Sequence, residues 1–425
     1  MRNSSRKTTL PRSATHSAET PAAPAVKTDP EIHHARPEIP FSRLSLVGNE
    51  MRYMADAVRN GHCSGDGPFT KRCQELLETE LGVSAALLTT SCTHALEMSA
   101  ILLGIQPGDE VIVPTFTFVT SVNAFVLRGA RPVFADVRPD TLNIDETKLE
   151  ALITPRTRAI VVVHYGGVAC EMDSILSLAA RFDIPVIEDN AHGLFGSYKG
   201  RPLGSMGAMA ALSFHETKNY SCGEGGALIV NDSNLLSRAE IIREKGTDRA
   251  RFFRGQVDKY TWVDIGSSYV LADMNAGFLL GQLEKWREIR DVRERIWDYY
   301  ALHLQDWAEA NSVGLPHVPA DCDQAFHLFY LIMPSLAKRQ EFITYLRTLG
   351  IGSAFHYVPL HLSPMGRQLG APGCACPVAE DLADRLVRLP FHNGLSEADQ
   401  ARIVEAVVAF RAVPRGSRSP TIVVA

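Results

Sequence analysis

Between residues 85 and 230 short apolar runs alternate with helical patterns, and this alternation constrains the fold more than any other feature of the chain. The apolar runs fall at 85–89, 110–114, 132–137, 159–164, 185–188, 211–214 and 227–230. Helical patterns at 93–103, 146–153 and 171–182 lie between them. Near-continuous apolar strands spaced by helices belong in a mostly parallel sheet covered on both faces, an α/β fold. Ligands of such sheets sit beyond the carboxyl ends of the strands, so those ends are the places to look for chemistry.

After residue 272 the pattern changes. A helical tract from 274 to about 304, a strand at 326–333, a helix at 340–349, a strand at 352–358 and a last helix at 397–410 predict a smaller α+β domain. Residues 1–40 hold six prolines and no aromatic residue, and cannot bury enough apolar surface to offset chain entropy. The expected organisation is a disordered extension over 1–40, a large domain over 41–285, a small domain over 286–414 and a frayed tail over 415–425.

Composition removes several function classes. The 425 residues carry 43 Lys and Arg against 48 Asp and Glu, a net charge of −5, and this mildly acidic balance gives no electrostatic footprint for nucleic acid. No run approaches 18 uninterrupted apolar residues, so no membrane-spanning helix is expected. The eight cysteines are dispersed, and Cys374-Ala375-Cys376 is their one close pair. That pattern predicts reduced thiols in a cytoplasmic enzyme and no metal site.

The common nucleotide and zinc motifs fail on single residues. Gly65-Asp66-Gly67-Pro68-Phe69-Thr70 begins like a dinucleotide-binding turn but ends in Thr and follows no strand. His215-Glu216 starts a zinc-protease motif whose fifth position is Asn219. Three strand ends instead converge on one chemistry. Val186-Ile187-Glu188-Asp189-Asn190-Ala191-His192 delivers acids and a histidine, Ser213-Phe214-His215-Glu216-Thr217-Lys218-Asn219 delivers a lysine, and Thr89-Thr90-Ser91-Cys92-Thr93 opens an apolar helix. Pyridoxal phosphate needs such a set: a lysine amine to carry it, an acid to keep its ring nitrogen protonated, and helix amides for its phosphate. Taken singly, each has a plainer reading as a helix cap or a solvated surface charge.

The segment Ser213 to Asn219, followed by Gly223-Glu224-Gly225-Gly226, resembles the lysine motif of the DegT/DnrJ/StrS sugar aminotransferases, and Glu188-Asp189-Asn190-Ala191-His192 resembles their acid motif. The resemblance covers about residues 40–412. It implies the type I pyridoxal phosphate aminotransferase fold, with a large mostly parallel α/β domain, a small C-terminal domain, and a homodimer whose active sites are shared. Lys218 then carries the cofactor, Asp189 pairs with its ring nitrogen and His192 lies beside the ring hydroxyl. Ser213 and the amides of Cys92 and Thr93 bind the phosphate. Phe118 stacks on the ring, although an aromatic there could equally belong to the core.

The implied partners are L-glutamate and a nucleotide 4-keto-6-deoxy sugar. A narrower likeness, carried by residues 243–262 together with 63–67 and 137–141, is to members of that family that form a dTDP-linked 4-amino-4,6-dideoxygalactose for surface polysaccharide. The same resemblance exposes a departure. Many members carry Gly-x-Asn-x-Arg before the long helix, where the Asn reaches the partner's cofactor phosphate. This chain reads Gly266-Ser267-Ser268-Tyr269-Val270, leaving Ser268 to make a shorter contact. Two other readings stay open. One is a dehydratase of the same fold, disfavoured because those relatives replace the lysine by His. The other is a cofactor-binding regulator without turnover. Arg249, Arg251, Arg254 and Lys259 form a basic cluster that either meets a diphosphate or answers nearby acids.

Overall fold

A computed structural model describes residues 38–371 and 373–412. The 1–40 extension, save its last three residues, and the 415–425 tail lie outside the described residues.

The central sheet has seven strands in the order Ala85–Thr89, Gly226–Val230, Met209–Ser213, Val186–Asp189, Thr157–Val163, Glu110–Pro114 and Arg131–Ala135. Pairing is parallel except around Gly226–Val230, which runs antiparallel to both neighbours. A purely parallel sheet would need a long crossover into that strand. Here the loop from Phe214 to Gly225 doubles straight back, with Phe214 N–H donating to the Gly225 carbonyl at 2.8 Å. That return loop holds Lys218.

Alternation of side chains sorts each strand between two layers. Val111, Val113, Ala159, Val161, Ile187, Ala211 and Leu228 face the Cys92–Leu102 and Thr120–Val126 helices. On the other face, Ile112, Ile160, Val162 and Val186 pack on the Met172–Arg181 helix. Beside them, Ala86, Leu88, Leu212 and Ile229 pack on Pro68–Leu81 and Asp273–Leu283. Each such Val, Leu or Ile side chain, fully buried, contributes about 1.5–3 kcal/mol. This packing makes the strand ends rigid platforms.

Several expected elements differ. The helix at 146–153 is two single 3-10 turns, Glu146–Lys148 and Glu150–Leu152, because Leu149 alone is buried there and one anchor does not sustain an amphipathic face. The long tract is two helices, Asp273–Leu283 and Trp286–Ala310, broken where Glu284 turns to accept from the Tyr53 hydroxyl at 2.9 Å and Arg72 at 2.7 Å. The strand at 326–333 shrinks to Tyr330–Ile332, paired antiparallel with Leu386–Arg388. The strand at 352–358 does not form. It makes one bridge, Ala354 with Arg388, before the His356 and Tyr357 rings stack at 3.9 Å. The last helix, Glu397–Ala409, starts on a reciprocal Ser396–Asp399 cap. Together with Trp286–Ala310 and Leu336–Thr348 it encloses a separate core around Tyr300, Trp307, Phe329 and Phe342.

Candidate active site

The carboxyl ends of the central strands open on a cavity of about 670 Å³. Cys92, Thr93, Phe118, Asp189, His192, Ser213 and Lys218 all line it. Ser268 does not. It is exposed on a bridge to Glu244, away from this chain's own cavity. The basic cluster lies elsewhere too: Arg254 pairs with Glu240 at 2.8 Å and Arg249 with Glu244 at 3.2 Å.

Two adjacent acids leave the Val186–Asp189 strand toward opposite faces and receive opposite treatment. Glu188 is wholly buried, accepts the amides of Gly204, Met206 and Gly207 at 2.7, 2.8 and 2.6 Å, and meets His164 Nε2 at 3.0 Å. Burial alone would raise its pKa, but His164 and those amides hold it below the usual carboxylate range. Asp189 accepts from the Ser121 hydroxyl at 2.6 Å and the Ala191 amide at 3.2 Å, and has no ion-pair partner among the described residues. Burial pushes its carboxyl upward, against the pull of the Ser121 hydroxyl and the Lys218 charge. A buried carboxylate in that position is short of one cationic partner.

Lys218 follows the Met209–Ser213 strand, its backbone N–H donating to the His215 carbonyl at 2.9 Å. Desolvation lowers its pKa to about 8, opposed by Cys92 and Asp189 and helped by Arg388. At pH 7 such an amine is about one tenth unprotonated, against roughly one part in three thousand for an ordinary lysine. Among the described residues no side-chain hydrogen bond holds it.

The Cys92–Leu102 helix supplies an anion seat. Ser91 caps it, its hydroxyl accepting the His94 amide at 3.1 Å. The Cys92 and Thr93 amides, the first two of the helix, have no acceptor within it and sit at the positive end of its dipole. Gly226 passes directly behind, and a Cβ there would collide with the Ser91 carbonyl carbon and the Cys92 nitrogen. Gly226→Ala should therefore displace the turn, weaken cofactor retention at least tenfold and cost about 1–3 kcal/mol of stability, as overpacking does. Cofactor titration beside urea unfolding checks this, and unchanged affinity would contradict it.

Phe118 is 57% exposed, so it is no core residue but a ring on the cavity wall, its centroid 6.3 Å from that of Tyr357. His192 accepts the Gly166 amide on Nδ1 at 3.3 Å and stacks on His327 at 4.1 Å. Burial first, then Lys218 and His356, drive its pKa well below the ordinary value, so the ring is neutral with its proton on Nε2. His327 is fixed through Nδ1 to Asn219 at 2.9 Å. The sequence motifs did not indicate His327, His356, Arg388, Phe41 or Ser121. The only local signal was the adjacent His356-Tyr357 pair, since these residues reach the cavity from distant elements.

A model of the DegT/DnrJ/EryC1/StrS aminotransferase family matches residues 45–408. The chain belongs to that family. It is 35% identical over 376 residues to the GDP-perosamine synthase of Caulobacter vibrioides, covering 87% of this chain and 98% of the relative. It is 34% identical over 378 residues to the spore coat polysaccharide biosynthesis protein SpsC of Bacillus subtilis, covering 87% and 96%. Among solved structures, Helicobacter pylori PseC, an aminotransferase of pseudoaminic acid biosynthesis, superposes with a TM-score of 0.81 at 27% identity, covering 88% and 98% of the two chains.

Sugar aminotransferases of this family use pyridoxal phosphate, and Spr1654 of Streptococcus pneumoniae, a structural neighbour, is solved in PLP and PMP forms. The residues present fit that cofactor. Asp189 lacks a cation where a protonated ring nitrogen would supply one, Gly226 leaves the Cys92 and Thr93 amides clear, and Lys218 offers an amine of lowered pKa. Among the described residues no group of three or more His, Cys, Asp or Glu could hold a metal ion, and no helix is long and apolar enough to cross a membrane.

Proposed function

We propose that this aminotransferase moves the amino group of L-glutamate to the 4-keto carbon of a nucleotide 4-keto-6-deoxy sugar. The reading is dTDP-4-amino-4,6-dideoxygalactose transaminase activity: dTDP-4-dehydro-6-deoxy-D-glucose is converted to dTDP-4-amino-4,6-dideoxy-D-galactose for surface polysaccharide in the cytoplasm. The observation that carries aminotransfer is the lowered-pKa amine of Lys218 in the same cavity as the unpaired Asp189 carboxylate.

Pyridoxal phosphate supplies a carbonyl that exchanges with the donor's amine and a ring that takes up the electron pair as the donor's α-proton leaves. The chain does the rest. The Cys92 and Thr93 amides and the Ser213 hydroxyl bind the phosphate. Asp189 keeps a proton on the ring nitrogen, and Ser121 orients Asp189. Phe118 covers one ring face. With Nδ1 already accepting from Gly166, His192 donates its Nε2 proton to the ring hydroxyl. Lys218 Nζ removes the proton from the glutamate α-carbon in the first half-reaction and returns one to sugar C4 in the second.

A homodimer with shared sites is part of this reading. Its support is that Ser268 lies outside this chain's cavity, and that Phe253, Tyr260 and Trp262 are 70%, 52% and 77% exposed in one stretch. The runner-up substrate is a GDP-linked keto sugar, favoured by the relative named GDP-perosamine synthase. Incubating the enzyme with glutamate and each nucleotide keto sugar, then reading the product by NMR, decides. An axial 4-amine on the dTDP sugar is expected. Amination of the GDP sugar alone would select the runner-up, and no amination of either would reject both.

A further inference from the structure

His392 is a buried group whose hydrogen bonds the chain leaves unmade. It is 4% exposed, and neither ring nitrogen has a partner among the described residues. Burial pushes its pKa below the ordinary value, so the neutral ring has one donor and one acceptor to satisfy. The Pro40 carbonyl comes near without aligning for a hydrogen bond. The other buried histidines all have partners. His164 has Glu188, His192 the Gly166 amide, His327 Asn219, and His361 both Thr115 and Glu380. A buried polar group with nothing beside it points to a water or a ligand.

The ring borders a chamber of about 20 Å³. About 10–15 Å³ suffices for one water, provided that roughly two to four polar groups meet it. Much of the polar wall is already engaged. Arg293 is spent on the Phe326 and His327 carbonyls and on Asn393, whose amide donates to the Ile289 carbonyl. Asn219 is held by His327 and the Ala325 carbonyl. Ser42 and Ser45 line the same chamber, and their hydroxyls have no partner among the described residues. Ser45 and the ring converge beside Gly394, where a Cβ would lie 3.3 Å from Ser45 Oγ and 3.4 Å from His392 Nδ1. The chamber also abuts the active site: Ser42, Thr217, Lys218 and Phe391 line both.

We propose that this chamber is a water seat held by His392, Ser42 and Ser45, and that its water serves the release of the keto acid. This rests on the aminotransferase reading above. Over one cycle aminotransfer consumes a water when the keto acid leaves and releases one when the keto sugar joins. In the consuming step the carbon–nitrogen double bond of the former donor breaks. The water oxygen becomes the carbonyl oxygen of the keto acid, and both water protons pass to the nitrogen, which stays with the cofactor as an amine. Cofactor and donor displace bulk water from the strand ends at that moment. A seat that shares the Lys218 wall keeps one molecule at hand.

The test uses cofactor-loaded enzyme and the variants His392→Leu, His392→Gln and Ser45→Ala. A crystal structure of the loaded parent should show a water within hydrogen-bond reach of His392 and a serine hydroxyl. A dry or ion-filled chamber would overturn the proposal. Glutamate without sugar in deuterated water then separates two events. Deuterium entering the glutamate α-position, read by NMR, reports the proton moved by Lys218, and free 2-oxoglutarate reports the addition of water. His392→Leu should slow 2-oxoglutarate release at least tenfold while deuterium entry holds. His392→Gln, which keeps a donor and an acceptor, should restore part of the rate. Ser45→Ala should give a smaller change in the same direction, and it decides the matter if His392→Leu does not fold. Unchanged release would overturn the proposal, as would an equal fall in release and deuterium entry, which would mark a loosened Lys218 loop. If the parent neither exchanges the α-hydrogen nor forms 2-oxoglutarate, the donor reading fails and the hydrolytic role with it, while the crystallographic water upholds the seat.

Discussion

Replacing Lys218 by alanine should lower kcat by at least about 10⁴-fold. Positioned proton transfer alone contributes about 10²–10⁴-fold. Here the same nitrogen also carries the cofactor, so the loss sits at or beyond the top of that range. The fold should survive. Among the described residues Lys218 makes no side-chain hydrogen bond, and its lowered pKa of about 8 reflects burial that opposes its charge rather than rewarding it. The urea midpoint of the variant should therefore equal or exceed that of the parent. A small primary amine added in solution should restore part of the rate, because the missing group is a base and not a structural prop. Initial rates with and without that amine check the prediction. A variant turning over at the parental rate would remove Lys218 from the chemistry, and an unfolded variant would show that its alkyl stem matters more than its charge.

What the sequence made legible follows the range of the forces involved. The seven central strands were readable because both faces of their middle stretches are largely buried, so each run is mostly apolar there. Their ends were readable for the same reason: Asp189 and Lys218 interrupt or follow apolar runs, and a polar residue at the edge of such a run needs an explanation. The antiparallel direction of Gly226–Val230 was not legible, because an apolar run does not say which way it points. The 3-10 turns at 146–152 and the missing strand at 352–358 were misread because local patterning counts apolar residues without knowing which are covered. The upper wall of the cavity was invisible for a different reason. Phe41, His327, His356 and Arg388 come from segments far apart in the chain, and only the packing of Tyr330–Ile332 against Leu386–Arg388 brings them over the strand ends. Ser121 is an intermediate case: its i,i+4 hydrogen bond to Thr117, at 2.8 Å, is local, but its purpose appears only when Asp189 is placed 2.6 Å away.

Asp189→Asn should lower kcat by about 10–10³-fold while leaving Lys218 and the phosphate seat in place. An opposite charge within contact distance shifts a pKa by about 1–3 units, and each unit is a factor of ten in the population of the protonated ring. Asparagine keeps the shape and can still accept from Ser121, but it carries no charge to hold that proton. The neighbouring acid offers an internal control. Glu188→Gln removes a carboxylate that faces away from the cavity and is already met by three amides and His164. Its loss should appear as lowered stability, about 3–5 kcal/mol for breaking a buried pair, rather than as a selective loss of rate. Measuring kcat and urea midpoint for both variants separates the two roles. Asp189→Asn should lose rate at nearly constant midpoint, because burial already opposes the charge it removes. If the two variants exchanged behaviour, Glu188 would be the residue that acts on the ring. The strand alternation that sends Ile187 and Asp189 to one face and Val186 and Glu188 to the other would then have been assigned the wrong chemistry.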